Sequence, residues 1–214
     1  MEQKSGMTAP SRLAVELSGA LMVTLILTAC TPGPADTPLP GPTATRTIGL
    51  TTTKPPYAGA PAVRDPLPAT VVAGDPCTTA LTPEQVKQVL DTGVTGKRDP
   101  GEWPGPTCLW ENPVTARTIR VAYATKRRDG LSAVYPSTSP DEGGVWRELI
   151  VAGFPAVATT RDPQWHCTVT LGLADDVSAE VSLIGRTDNR GDWCKDAEKT
   201  AELVVRTLKD RAGR

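Results

Sequence analysis

Between Thr31 and Gly74 the chain places ten prolines and nine threonines in 44 residues, with Tyr57 as the one aromatic side chain. Proline fixes φ and brings no backbone N–H, so such a stretch supplies few ladder hydrogen bonds. Its sparse apolar side chains bury too little area to offset the entropy of ordering it. It reads as a tether, of about 130 Å in polyproline form and roughly 35–40 Å as a coil. Folded structure is thereby confined to the stretch from Asp75 to Arg214.

The residues before the tether explain why one is present. Lys4 and Arg12 make a weakly basic leader, Leu17 to Ala29 an apolar segment, and Leu27-Thr28-Ala29-Cys30 closes it with small residues before a cysteine. That order is the pattern of an exported precursor lipidated and cut at the cysteine. Met7 is an alternative start that keeps Arg12 and the whole apolar run. A spanning helix needs about 20 apolar residues, and counting from Leu13 the run includes Glu16, Ser18 and Gly19. An ordinary buried cysteine would require Thr31-Pro32-Gly33-Pro34 to continue a fold that those residues break. The expected organisation is a signal peptide over 1–29, an acylated Cys30 with its tether over 30–74, and one globular domain over 75–214. A diacylglycerol on Cys30 supplies two acyl chains, enough for stable anchoring on the outer side of the cell membrane.

The domain holds 18 Lys+Arg against 20 Asp+Glu, so it has no general basic field for nucleic acid or anionic lipid. Lys126-Arg127-Arg128 is its basic run and reads as a solvated strand end. Thr82-Pro83-Glu84-Gln85 starts a helix: Thr82 as N-cap, Pro83 at the first helical position, Gln85 completing a capping box, with a Leu81/Val86 staple. It runs to about Asp91, where Gly93 can end it. Cys108 to Trp110 and Thr118 to Ala124 form a hairpin around Asn112-Pro113, and a short helical piece is expected near Asp129 to Tyr135. Val145–Val151, Ala156–Thr160, Cys167–Leu173 and Ala179–Ile184 are further strands. Asp192 caps a last helix with Cys194, Ala197, Ala201, Val204, Val205 and Leu208 on one stripe. The fold class is α+β, a mostly antiparallel sheet of five or six strands with N- and C-terminal helices packed on it.

Four cysteines remain in the exported domain: Cys77, Cys108, Cys167 and Cys194. An even number at wide spacing outside the cytoplasm favours two disulfides, and four cysteines allow three pairings. The expected pairing is Cys77 with Cys108, fastening the first helix to the first strand, and Cys167 with Cys194, fastening a late strand to the last helix. Zinc held by Cys167 and His166 is disfavoured, because neighbours on a strand point to opposite faces and no Cys-x-x-Cys pair exists.

The set Asp75-Pro76-Cys77, Leu81-Thr82, Cys108-Leu109-Trp110, Gly153-Phe154-Pro155-Ala156, Cys167 and Cys194 resembles an uncharacterised lipoprotein family of actinobacteria, a domain of unknown function. The resemblance covers nearly all of Asp75 to Arg214 together with the leader and tether. It implies a cell-envelope lipoprotein with four domain cysteines, and it brings no assigned activity and no catalytic residues.

No catalytic constellation stands out. His166 is the chain's one histidine, without a G-x-S-x-G elbow, an H-E-x-x-H helix or a phosphate-binding glycine loop. Asp141-Glu142 and Asp175-Asp176 are carboxylate pairs in polar turns, read as solvated loop residues. Asp188-Asn189-Arg190-Gly191-Asp192 lacks calcium-loop spacing and reads as a turn plus a helix cap. Of the five tryptophans, Trp110 belongs to the core, while Trp103, Trp165 and Trp193 lie in or beside loops and could line a ligand surface. The expectation is a non-enzymatic lipoprotein without cofactor or metal, anchored to lipid through Cys30. Its domain binds an envelope protein, a wall component or a small ligand, in one version regulating a membrane sensor or secretion complex. The alternatives are an envelope enzyme using dispersed carboxylates and a structural surface lipoprotein.

Overall fold

The computed structural model describes residues 54–101, 103–137, 143–185 and 192–214. Its centre is one antiparallel sheet of seven strands: β1 (Lys97–Arg98), β2 (Thr107–Glu111), β3 (Thr118–Tyr123), β4 (Val145–Val151), β5 (Phe154–Thr160), β6 (His166–Ala174) and β7 (Val177–Ile184). Their order across the sheet is β1-β2-β3-β7-β6-β5-β4. Two meanders, β1 to β3 and β4 to β7, therefore meet where β3 pairs with β7. The sheet is antiparallel as expected, with one strand more than six. The addition is β1, two exposed residues pairing with β2, too short to leave a periodic trace in sequence.

Register sorts the side chains onto two faces of different character. On one, Trp110 sits opposite Ile119, Ile119 opposite Leu183 and Leu183 opposite Cys167; Val121, Val181, Val169 and Ala158 form the next row. These are buried in the main core. Helix α3 (Trp193–Arg211) lies over them, burying the predicted stripe of Cys194, Ala197, Ala201, Val204, Val205 and Leu208. Asp192 caps it by accepting from the N–H groups of Cys194 and Lys195.

The N-terminal helices are smaller than the expected packing layer. Helix α1 (Pro76–Thr79) is a single turn and α2 (Pro83–Leu90) has eight residues, so only α3 is long enough to lie across several strands. Thr82 and Gln85 form the capping box, Gln85 Nε2 donates to the Leu203 carbonyl, and α2 is thereby set beside α3. The helix stops at Asp91, which takes the left-handed conformation (φ 57°) before Gly93 is reached. Asn112 Nδ2 donates to the freed Leu90 carbonyl oxygen at 2.9 Å.

The boundary at Asp75 is corrected by the fold. Residues 54–74 form a strap that belongs to the folded unit. Tyr57 N donates to Ser132 Oγ, Val63 N to Asp175 Oδ1 and Leu67 N to the Leu173 carbonyl; Leu67, Val71 and Val72 are then buried in the main core. Prolines are compatible with such a strap because it needs few backbone partners. Three apolar side chains at the right places outweigh a polar average. Two disulfides close the unit with the expected pairing, Cys77–Cys108 joining α1 to β2 and Cys167–Cys194 joining β6 to α3. Cys30 lies outside the described residues.

Candidate ligand groove

The second face of the sheet is polar, and the connection from β3 to β4 determines how it is covered. β3 is interior and β4 is an edge strand, so this connection must travel past β7, β6 and β5. It does so on the second face as two 3-10 turns, Gly130–Ala133 and Tyr135–Ser137. The expected helical piece near 129–135 is this pair of turns. A Cβ on Gly130 (φ 53°) would stand 2.1 Å from the Asp175 carbonyl oxygen, so only glycine fits where the connection touches the β6–β7 turn. Leu131 rests on Gly172, and Leu131, Tyr135 and Val157 form a second, small core with Ala60, Val134 and Trp146 packed against it.

Tyr135 meets the Trp146 ring edge-on, with centroids 5.4 Å apart, and donates from its hydroxyl to Glu148 Oε1 at 2.8 Å. Burial, then the hydrogen bond to Glu148, pushes the Tyr135 phenol up to about 12.

Between these turns and the strands is a groove of about 600 Å³ lined by Ala133, Val134, Pro136, Ser137, Val145, Trp146, Thr159, Thr160, Arg161, His166 and Thr168. Its floor follows the register: Trp146 faces Thr159, which faces Thr168, which faces Ser182. Thr168 and Ser182 share a hydrogen bond of 2.8 Å. Thr160 Oγ1 accepts from Asp162 N and lies 3.4 Å from His166 Nε2, shaping the turn at one end. Trp146 Nε1 is shielded from solvent and has no hydrogen-bond partner among the described residues.

The tryptophans singled out in the sequence are elsewhere. Trp103 is exposed in the β1–β2 connection, its carbonyl accepting from Arg120 Nη2. Trp165 is exposed in the β5–β6 turn and its carbonyl accepts from Gly185 N. The Trp193 ring is half-buried against Gly185 beneath the Arg117 guanidinium, 5.3 Å from its centroid. None of the three lines the groove; Trp146, which does, stands on a strand that the sequence identified without marking this residue. Its signal was the alternation of β4, which puts Trp146, Glu148 and Ile150 opposite the face of Leu149 and Val151.

The remaining candidates are engaged in the fold or lie outside it. Asp175 accepts from Val63 N, Asp176 pairs with Arg128 at 2.6 Å, and Cys167 faces α3 while His166 faces the groove. Asp141, Glu142 and Asp188 to Gly191 fall outside the described residues. Among the described residues no group of three or more His, Cys, Asp or Glu side chains is placed to hold a metal, and no helix is long and apolar enough to cross a membrane.

Neither the curated proteins nor the solved structures contain a match to this chain. A match to a described family does exist and runs from residue 25 to residue 207, taking in Cys30, the strap, the whole sheet and most of α3. On that span the chain belongs to the DUF3558 family, described as proteins of unknown function.

Proposed function

We propose that this chain is a lipoprotein held on the outer side of the cell membrane through an acylated Cys30, and that its folded unit is a non-catalytic binding or adaptor module. The observation that carries the reading is the pair of disulfides. Disulfides persist in oxidising compartments and are rare where thiols are kept reduced, and both here join elements of the main core. The Leu27-Thr28-Ala29-Cys30 pattern supports export followed by lipidation. A binding role draws support from the groove, which is concave and mixed in polarity as small-ligand sites are. The carboxylates Asp175 and Asp176 serve a backbone N–H and a guanidinium, which argues for structural use.

The test is intact mass and cross-linking on protein taken from its native membrane. A mature chain beginning at acylated Cys30, with its four other cysteines oxidised, is the expected result. An unacylated chain retaining residues 1–29 refutes the anchor. Hydrolytic turnover that survives purification and is lost with Asp175→Asn or Asp176→Asn refutes the non-catalytic reading.

A further inference from the structure

Across the polar face, strand by strand, one row reads Trp146, Thr159, Thr168, Ser182 and Arg120. Neighbouring strands lie about 4.8 Å apart, so this row offers an aromatic ring and then hydroxyls at a regular short spacing. Its first three members form the groove floor, with His166 and Arg161 at one end and Val134 and Pro136 along the wall.

The lining restricts what can bind. Among the described residues its lining contains no carboxylate, so none of them offers a negative charge to a cationic ligand. Thr159 and Ser137 line it without a side-chain hydrogen bond to any described residue. Hydroxyls both donate and accept, and a polyhydroxylated ligand answers them in kind. Val134, Pro136 and the Trp146 ring add apolar surface suited to the C–H faces of a pyranose. The groove's volume of about 600 Å³ falls in the range of roughly 300–1,000 Å³ usual for small-molecule sites.

In the cleft between α2 and α3, Arg117 is paired with Asp196 and Arg206 with Glu202, and the lining is charged where that of the groove is hydroxyl-rich.

We infer that the groove between the β3–β4 connection and strands β4 to β6 is a saccharide-binding site, with Trp146, Thr159, Ser137 and His166 as its contacts. The inference rests on the reading of the folded unit as a binding module and names the ligand class of that site.

The test is titration of the ¹⁵N-labelled full chain with chitotriose and with maltotriose, following the five indole N–H resonances. Loss of one signal in Trp146→Phe identifies the reporter. With at least one of the two sugars the Trp146 signal should shift and saturate by about 10 mM, above the millimolar Kd of weak sites. Thr159→Val, which keeps the side-chain shape, should weaken that binding by about ten-fold, the effect of one hydrogen bond. A Trp146 signal that neither sugar moves overturns the inference. So does a shift that Thr159→Val leaves unchanged, since the contact then lies outside the groove. A cross-linked protein partner seated on Trp146 or Thr159, with both sugars silent, overturns the saccharide and keeps the binding module. An anchor or binding module that fails is detected separately, by the mass and cross-linking experiment.

Discussion

Leu67→Ala separates two descriptions of the same residue. By composition Leu67 sits in a proline-rich tether, where truncating a side chain changes stability by less than about 0.5 kcal/mol. In the fold it is 2 % exposed, packed in the main core where the strap reaches Leu173. The substitution removes three carbons, about 2.4 kcal/mol at roughly 0.8 kcal/mol per methylene. The cavity left behind adds to this, since the strap is held on both sides, by Val63 N on Asp175 and by the buried Val71 and Val72. The total falls in the range of about 2–5 kcal/mol seen for buried leucines, and we take about 3. Chemical denaturation of the full chain with its disulfides intact measures it as a lower midpoint at unchanged m. Val114→Ala, at a residue 90 % exposed, is the matched control and should change stability by less than about 0.5 kcal/mol. A Leu67→Ala loss no larger than that of Val114→Ala refutes the strap as part of the core.

Replacing Cys167 and Cys194 together by alanine opens a loop of sequence separation 27 and should cost about 3–4 kcal/mol on the chain-entropy estimate, read by urea unfolding. Gly130→Ala should lower the melting temperature by several degrees, because the new Cβ meets the Asp175 carbonyl at 2.1 Å and residue 130 has φ 53°. Burial pushes the Tyr123 phenol up to about 12 while the unfolded value is near 10. A raised folded value means its contribution is whole below pH about 10 and is lost as pH rises through about 12. Tyr123→Phe should therefore flatten the alkaline fall in stability over that window, measured by denaturation at stepped pH, and an unchanged fall would remove Tyr123 as its source.

Much of the sheet was legible because its strands alternate and its cysteines are few. Ile119, Val121 and Tyr123 announced one face of β3, and the stripe from Cys194 to Leu208 announced both α3 and the face it covers. Thr82 and Gln85 marked α2 through a local pair of hydrogen bonds, the kind of signal a sequence carries well. What could not be read depends on distant partners. The strap is held by Asp175 and Leu173, more than a hundred residues away, and its proline content masked three anchoring side chains. The groove was hidden for a topological reason: its wall lies over β5 and β6 because β4 is an edge strand, a matter of strand order with no local trace. Loop tryptophans therefore drew notice that belonged to Trp146.

The strap also sets a load path. Among the described residues, tension on the chain from its N-terminal side meets the folded unit first at Tyr57 N on Ser132 Oγ and at Ala60 beside Leu131 and Tyr135. Those contacts brace the turns that wall the groove. Only beyond them does force meet Val63 on Asp175 and then the buried Leu67, while Asp65 is tied to Arg214 at 2.7 Å near the other terminus. If the chain is held through Cys30 as proposed, a pull should loosen these outer contacts before it loads the core, so that among the described residues the wall of the groove is the part first exposed to tension.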